Sequence, residues 1–257
     1  MRQHNYWQPL FTLLSLVLFS LILTGCSSPT KRPFYPRVEN LGNSQNMQLT
    51  EHEVLDIDLN QEISEEDIRR AVEIAKSQVF KLTPKSKIVL VQSGATVPDT
   101  TMQEIMMKHY RVSVYSGISQ AKNTPKVIKK NDQTTVTSNN SFIRKLRLAS
   151  ARAKQDKIIV YWGKMELGRL DRESKTRVWE GYNGGSIPSS TEYLRYLVRF
   201  AIVDVNSGMW AMYSSINKEE PYKRRSINST SEDIAQLTKV KDDAYLLSVE
   251  NLLAQFE

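Results

Sequence analysis

Cysteine and histidine, the side chains that most readily attack, ligate or shuttle protons near neutral pH, are rare in this chain of 257. Cys26 is the single cysteine, and the three histidines are His4, His52 and His109. The histidines are scattered and lack the i, i+4 spacing of a helical zinc site, so no metal-ligating set is expected and no cofactor is called for. His109, four residues after Ile105, reads as a half-buried helix-end residue rather than a general base. A serine–lysine nucleophile pattern occurs at Ser119-Gln120-Ala121-Lys122, followed by Ser138-x-Asn140. The same spacing recurs at Ser28–Lys31 and Ser215–Lys218, the companion motif reads Lys175-Thr176-Arg177, and Ser119 lies in a polar segment where a buried helix start would be needed. There is no Gly-x-Ser-x-Gly elbow and no glycine-rich phosphate loop. The chemistry of the chain therefore points away from catalysis, and no catalytic residue is assigned.

Cys26 has a different context. It follows an almost wholly apolar run from Leu10 to Leu23, preceded by Arg2 and His4, and sits in Leu23-Thr24-Gly25-Cys26. The run suits a signal-peptide h-region and is short for a bilayer span of about 20 residues. The tetrapeptide resembles a bacterial lipobox, which implies a lipoprotein whose Cys26 thiol carries diacylglycerol and whose amine is acylated. The competing reading is an uncleaved anchor or an ordinary signal peptide. Ser27 stands where an aspartate marks inner-membrane retention in enterobacterial lipoproteins, so the resemblance implies outer-membrane anchorage, with the domain facing the periplasm. With its only thiol consumed, the chain has no disulfide framework and its fold must rest on its core.

Three segments are expected: residues 1–25 as signal peptide, 26–62 as a lipid-anchored flexible tether, and 63–257 as one α/β domain. Pro29, Pro33 and Pro36 and many amide side chains support the tether, although Val54, Ile57 and Leu59 are spaced to allow an edge strand. A helix is predicted to begin at Ser64, with Asp67 in the capping-box position and Ile63 and Ile68 in the staple positions. Its face of Ile68, Ala71, Val72, Ala75 and Val79 reads as packing. Lys87–Gly94, Arg111–Gly117 and Asp156–Gly163 are β-rich runs ending in glycine, the first and third apolar enough to be covered on both faces. Helical segments separate them at Thr101–Tyr110 and Ser141–Gln155, the latter with Phe142, Ile143, Leu146 and Ala149 on one side. Tyr193–Val205 and Met209–Ile216 flank a turn at Asn206-Ser207-Gly208 and read as a hairpin. A further strand is expected at Thr176–Tyr182 and a terminal helix over Ser231–Glu257. The fold class is thus α/β, a single domain with a mixed sheet: three strands in βαβ order, an antiparallel hairpin and a C-terminal helix. In such sheets ligands bind beyond the strand C-termini, which would bring Ser93, Gly94, Ser116, Gly117, Trp162 and Gly163 near a pocket.

The runs Ile88–Val91, Met102–His109, Val112–Tyr115, Ile158–Trp162 and Phe200–Tyr213, in this order, resemble the α/β domain shared by three envelope proteins. These are the curli-secretion lipoprotein, the lipoprotein activator of penicillin-binding proteins, and the N-terminal domain of the periplasmic Tol-Pal protein. The resemblance implies recognition or assembly, and carries no functional residue across.

Loss of Arg2 with the leader takes the formal charge from +7 to +6. Lys122, Lys126, Lys129 and Lys130 cluster in a polar segment, Arg144, Lys145, Arg147, Arg152 and Lys154 follow, and Lys223-Arg224-Arg225 forms a second group. Such patches suit anionic lipid headgroups, envelope polymers or an acidic protein, and in this compartment not nucleic acid; a merely solvated face is the other reading. Trp179, Tyr182, Tyr193 and Tyr196 surround a loop from Gly181 to Pro188 that could present rings to a glycan or peptide, with core packing the alternative for Trp179. Candidate ligand-binding residues are therefore Lys126, Lys129, Lys130, Trp179 and Tyr182. The expected function is a non-enzymatic, outer-membrane binding or assembly module that meets the membrane through its lipid and an envelope protein or anionic polymer through its domain. A hydrolase acting on cell-wall peptide or glycan is the alternative.

Overall fold

The computed structural model describes residues 47–57, 62–77, 80–119, 142–224 and 230–257. Its central strand β1 (Lys87–Ser93) explains the continuous apolar run: Ile88 and Leu90 face one core, Val89 and Val91 the other, and all four are buried. β1 pairs in parallel with β2 (Arg111–Gly117) on one side and with β3 (Lys157–Leu170) on the other. Helix α3 (Thr100–Met107) makes the β1–β2 crossover and α4 (Phe142–Arg152) precedes β3, as the βαβ reading requires. β2 is an edge strand and leaves Val114 and Tyr115 exposed.

β3 is longer than its sequence run suggested. It passes through Gly163 to Leu170, and glycine is needed there because a Cβ would lie 2.0 Å from the Tyr196 hydroxyl. The terminating role expected of that glycine is thus replaced by close packing in mid-strand. β3 pairs antiparallel with β5 (Tyr193–Asp204) from Lys157↔Asp204 to Gly168↔Tyr193, making a two-stranded ribbon that outruns β1. β4 (Arg177–Gly181) flanks the far half of β3, β6 (Trp210–Ser214) the near half of β5, and β7 (Glu219–Pro221) its far half. Asp204 caps the hairpin turn by accepting from the Ser207 N–H at 2.7 Å, and Arg147 donates to the carbonyls of Val205 and Asn206.

Helical layers cover both faces of the sheet, one reaching into the far half of the ribbon on its own face. One contains α3 and the terminal helix α5 (Thr230–Phe256), which buries Leu237, Val240, Tyr245, Val249 and Leu252. The other contains α4 and a short α1 (Glu51–Leu55), with Ile143, Leu146, Val54 and Leu55 buried. α1 lies within the stretch expected as tether, and Leu49, Val54 and Leu55 belong to the core. Val54 reaches it on a helix rather than on an edge strand. In α4, Ser150 is buried where Ala149 was expected, a shift of one position along the helix face.

Helix α2 (Glu65–Ser77) begins as read: Ser64 and Asp67 exchange reciprocal capping hydrogen bonds. Its role differs from the reading. None of its residues is buried, and Ile68 and Val72 are 48% and 45% exposed. Periodicity establishes that a helix has an apolar side; it does not say what covers that side.

Candidate functional site

Strand alternation decides what the far half of the ribbon presents. On the face that continues the α1/α4 core, β3 places Trp162, Lys164 and Glu166, and β5 places Arg195, Leu197 and Arg199. These side chains form a ladder of arginines over aromatic rings. The guanidinium of Arg177 lies 4.1 Å from the Tyr193 ring centre, that of Arg195 4.0 Å from Trp179, and that of Arg199 5.1 Å from Trp162. Glu166 anchors the ladder, with its side chain 9% exposed, accepting two bonds from Arg195 at 2.7 and 2.9 Å and one from Lys164 at 2.7 Å. Burial pushes its carboxyl up, yet the bonds from Lys164 and Arg195 outweigh that and hold it below the usual carboxylate range. Arg199 pairs with Glu51 of α1 at 2.5 Å, and Arg177 pairs with Glu219 of β7.

A cavity of about 350 Å³ opens beside this ladder, with Trp162, Leu197 and Val198 supplying apolar wall and Lys164, Asn183, Arg199 and Ser214 supplying polar atoms. Its rim is fixed by long-range hydrogen bonds. The Trp162 indole N–H donates to the Leu49 carbonyl at 2.8 Å, and the Leu49 N–H donates to the Ser93 hydroxyl at 2.8 Å. Gln48 therefore reaches the cavity wall from the N-terminal side. On the other side stands Tyr182, whose N–H donates to the Met165 carbonyl and whose hydroxyl donates to the Gly185 carbonyl at 2.6 Å. Burial raises its hydroxyl above the ordinary tyrosine value, so it stays protonated and a donor at neutral pH. Arg224 fastens the same loop by donating to the carbonyls of Ile187 and Pro188. The arrangement is concave, part apolar and rich in directional donors, which suits recognition of a ligand carrying acceptor groups.

The sequence-expected residues divide between places. Tyr182 lines the cavity, and so do Trp162 and Gly163 of the six residues expected near a pocket; Ser93 instead buttresses the rim through Leu49. Trp179 is half-buried on β4, its ring held between Arg195 and the backbone of Gly168, where a Cβ would come within 2.7 Å of it. It belongs to the ladder and not to the cavity wall. Tyr196 is buried and shares a 3.2 Å hydrogen bond with Tyr245. Cys26, Lys126, Lys129 and Lys130 lie outside the described residues. Of the other basic residues, Arg144 reaches Asp56 at 2.6 Å, and Arg147 and Arg224 hold backbone carbonyls, so part of the basic sequence positions loops. Ser119 donates to Glu53 of α1 at 2.7 Å, an arrangement that ties the chain beyond β2 to α1. Lys164, Leu197 and Arg199 were not singled out from sequence, although polar residues at alternate positions of β5 were a sign of one wetter face.

No helix among the described residues is long and apolar enough to cross a membrane, and no group of three or more histidine, cysteine, aspartate or glutamate side chains among them could hold a metal ion. No curated protein matches the chain. Among solved structures, lipoprotein B from Nitrosomonas europaea is 12% identical, with 68% of this chain and 88% of that one covered at a TM-score of 0.29. A PelC dodecamer from Paraburkholderia phytofirmans is also 12% identical, with 66% and 95% covered at a TM-score of 0.27. Likenesses at those scores carry no argument. The sequence itself is decisive at family level: residues 50–255 match one lipoprotein family over most of the described fold, and the chain belongs to the YafT family of bacterial lipoproteins.

Proposed function

We propose that the protein is a non-enzymatic recognition or assembly module of the cell envelope, held at the outer membrane by an acylated Cys26 and facing the periplasm. It takes an envelope protein or an anionic envelope polymer at the open face of the β3–β5 ribbon. The observation that carries this reading is the cavity beside the arginine–aromatic ladder, whose donors come from Lys164, Asn183, Arg199 and Ser214 and whose walls are Trp162 and Leu197. Lys164 is held by Glu166 and Arg199 by Glu51, so these two need little ordering when a ligand arrives. A recognition role also agrees with what the resemblance to the curli-secretion lipoprotein, the penicillin-binding-protein activator and the Tol-Pal domain implies.

The test is photo-crosslinking in intact envelopes, with the reactive residue placed at Asn183 on the cavity rim or at Lys239, an exposed position on α5. The expected result is a discrete adduct from position 183 and none from position 239. Equal labelling from both positions, or from neither, would overturn the site. Loss of function in Ser119→Ala with crosslinking unchanged would favour the hydrolase over the binding module.

A further inference from the structure

Helix α2 is amphipathic and uncovered. At about 100° per residue, Ile68, Ala71, Val72 and Ala75 fall within an arc of about 100°. Ile63, just before the Ser64 cap, adds a further aliphatic side chain that is 65% exposed. Charges of both signs flank that stripe. Asp67 is engaged with Ser64, and on the Val72 side Glu65, Lys76 and Arg69 follow the stripe in turn, Arg69 pairing with Glu66 at 2.6 Å.

We propose that α2 is a second membrane contact: it lies in the interface of the lipid bilayer that holds Cys26, with its Ile68–Val72–Ala75 side towards the acyl chains and Arg69 and Lys76 at the headgroups. The proposal rests on acylation of Cys26. A helix of 13 residues is about 20 Å long and about 10 Å wide, so one face offers on the order of 200 Å². A stable protein interface uses roughly 800 Å² per partner, which a second copy or a globular partner would have to find elsewhere. A lipid surface sets no such threshold here. Glu65 stands 39 positions after Cys26, so the anchor makes the second contact intramolecular, and weak interfacial affinity is sufficient. The helix is too short and too charged to span, which leaves lying on the surface as its membrane mode.

The lipidated full chain has no free thiol once Cys26 is acylated, so Val72→Cys accepts a single environment-sensitive nitrobenzoxadiazole label. In proteoliposomes the label at position 72 should show blue-shifted, brightened emission that brominated lipids quench and that Ile68→Asp reverses. A label at Leu246→Cys, on the exposed side of α5, should keep its aqueous emission. An aqueous spectrum at position 72, or a shift that grows with protein density and so reports a second copy, would overturn the proposal. So would a shift seen in native envelopes but absent from proteoliposomes, which would assign the face to a protein partner. The mass of the N-terminal peptide reports acylation separately. An acylated chain with a water-exposed label removes the helix contact alone, whereas an unacylated chain removes the anchor and the proposal with it.

Discussion

Glu166 shows how one side chain can organise a surface. It is the most enclosed charge of the ladder, and its three bonds fix Arg195 and Lys164 where Trp179 and the cavity need them. Glu166→Gln should lower unfolding free energy by about 1–3 kcal/mol, because Arg195 keeps its charge and loses a charged acceptor in a half-buried setting. The effect should depend on pH with a definite sign. The folded-state carboxyl lies below its ordinary value of 4.5, so the stabilisation is complete above that value and is lost as pH falls through the lowered one. Urea unfolding of both proteins at neutral and acid pH measures this: the gap should close in acid, and a gap that widened there would refute the assignment. Little of this was legible beforehand. Lys164-x-Glu166 and Arg195-x-Leu197-x-Arg199 are ordinary strand alternation until the register sets them opposite each other, and register is a long-range property. Tyr182 and Trp179 were recognisable because aromatic residues beside a glycine loop are conspicuous, but only the fold separates the one on the cavity rim from the one packed on Gly168.

Helices and strands vary in how much of their role the local pattern reveals. β1 was legible because burial on both faces leaves a continuous Ile-Val-Leu-Val run. The same pattern in β3 marks only its first half, since beyond Gly163 the strand changes partner from β1 to β4 and its composition changes with it. α1 escaped notice as a helix, being five residues of mixed polarity held by a capping box in which Thr50 and Glu53 each accept the other's backbone N–H. It is nonetheless a structural keystone, with Val54 and Leu55 in the core and Glu51 bound to Arg199. Thr50→Ala should therefore cost about 1 kcal/mol, as for other caps, and should raise amide exchange across residues 51–55 before it affects β1. Exchange protection that fell equally in β1 would show that α1 and the sheet open as one unit. α2 carries the opposite lesson: its cap and period were plain, while its lack of cover could not be read from a pattern that amphipathic helices share whatever they face.

For the whole molecule, the lipoprotein assignment was the most legible feature, because a lipobox is local in sequence and needs no fold to be recognised. Cys26→Ala should abolish acyl labelling and leave precursor unprocessed or the protein displaced from the membrane fraction; undiminished palmitate incorporation would refute the anchor. The mixed sheet was legible in outline, and the α1 and β7 additions were not, because each is short and gains stability only from the elements it meets. A mechanical consequence follows from the way Leu49 is held. Among the described residues the N-terminal end is tied first at Met47, whose carbonyl accepts from the Ser119 N–H at 2.9 Å, and then at Leu49, whose N–H is tied to Ser93 at the end of β1 and whose carbonyl is tied to Trp162 of β3. Leu49 thus links two strands at once, and Trp162 is also a wall of the cavity. Were a ligand to seat against Trp162, it would press on the side chain that holds Leu49, and releasing Leu49 would free the Trp162 indole N–H beside the cavity.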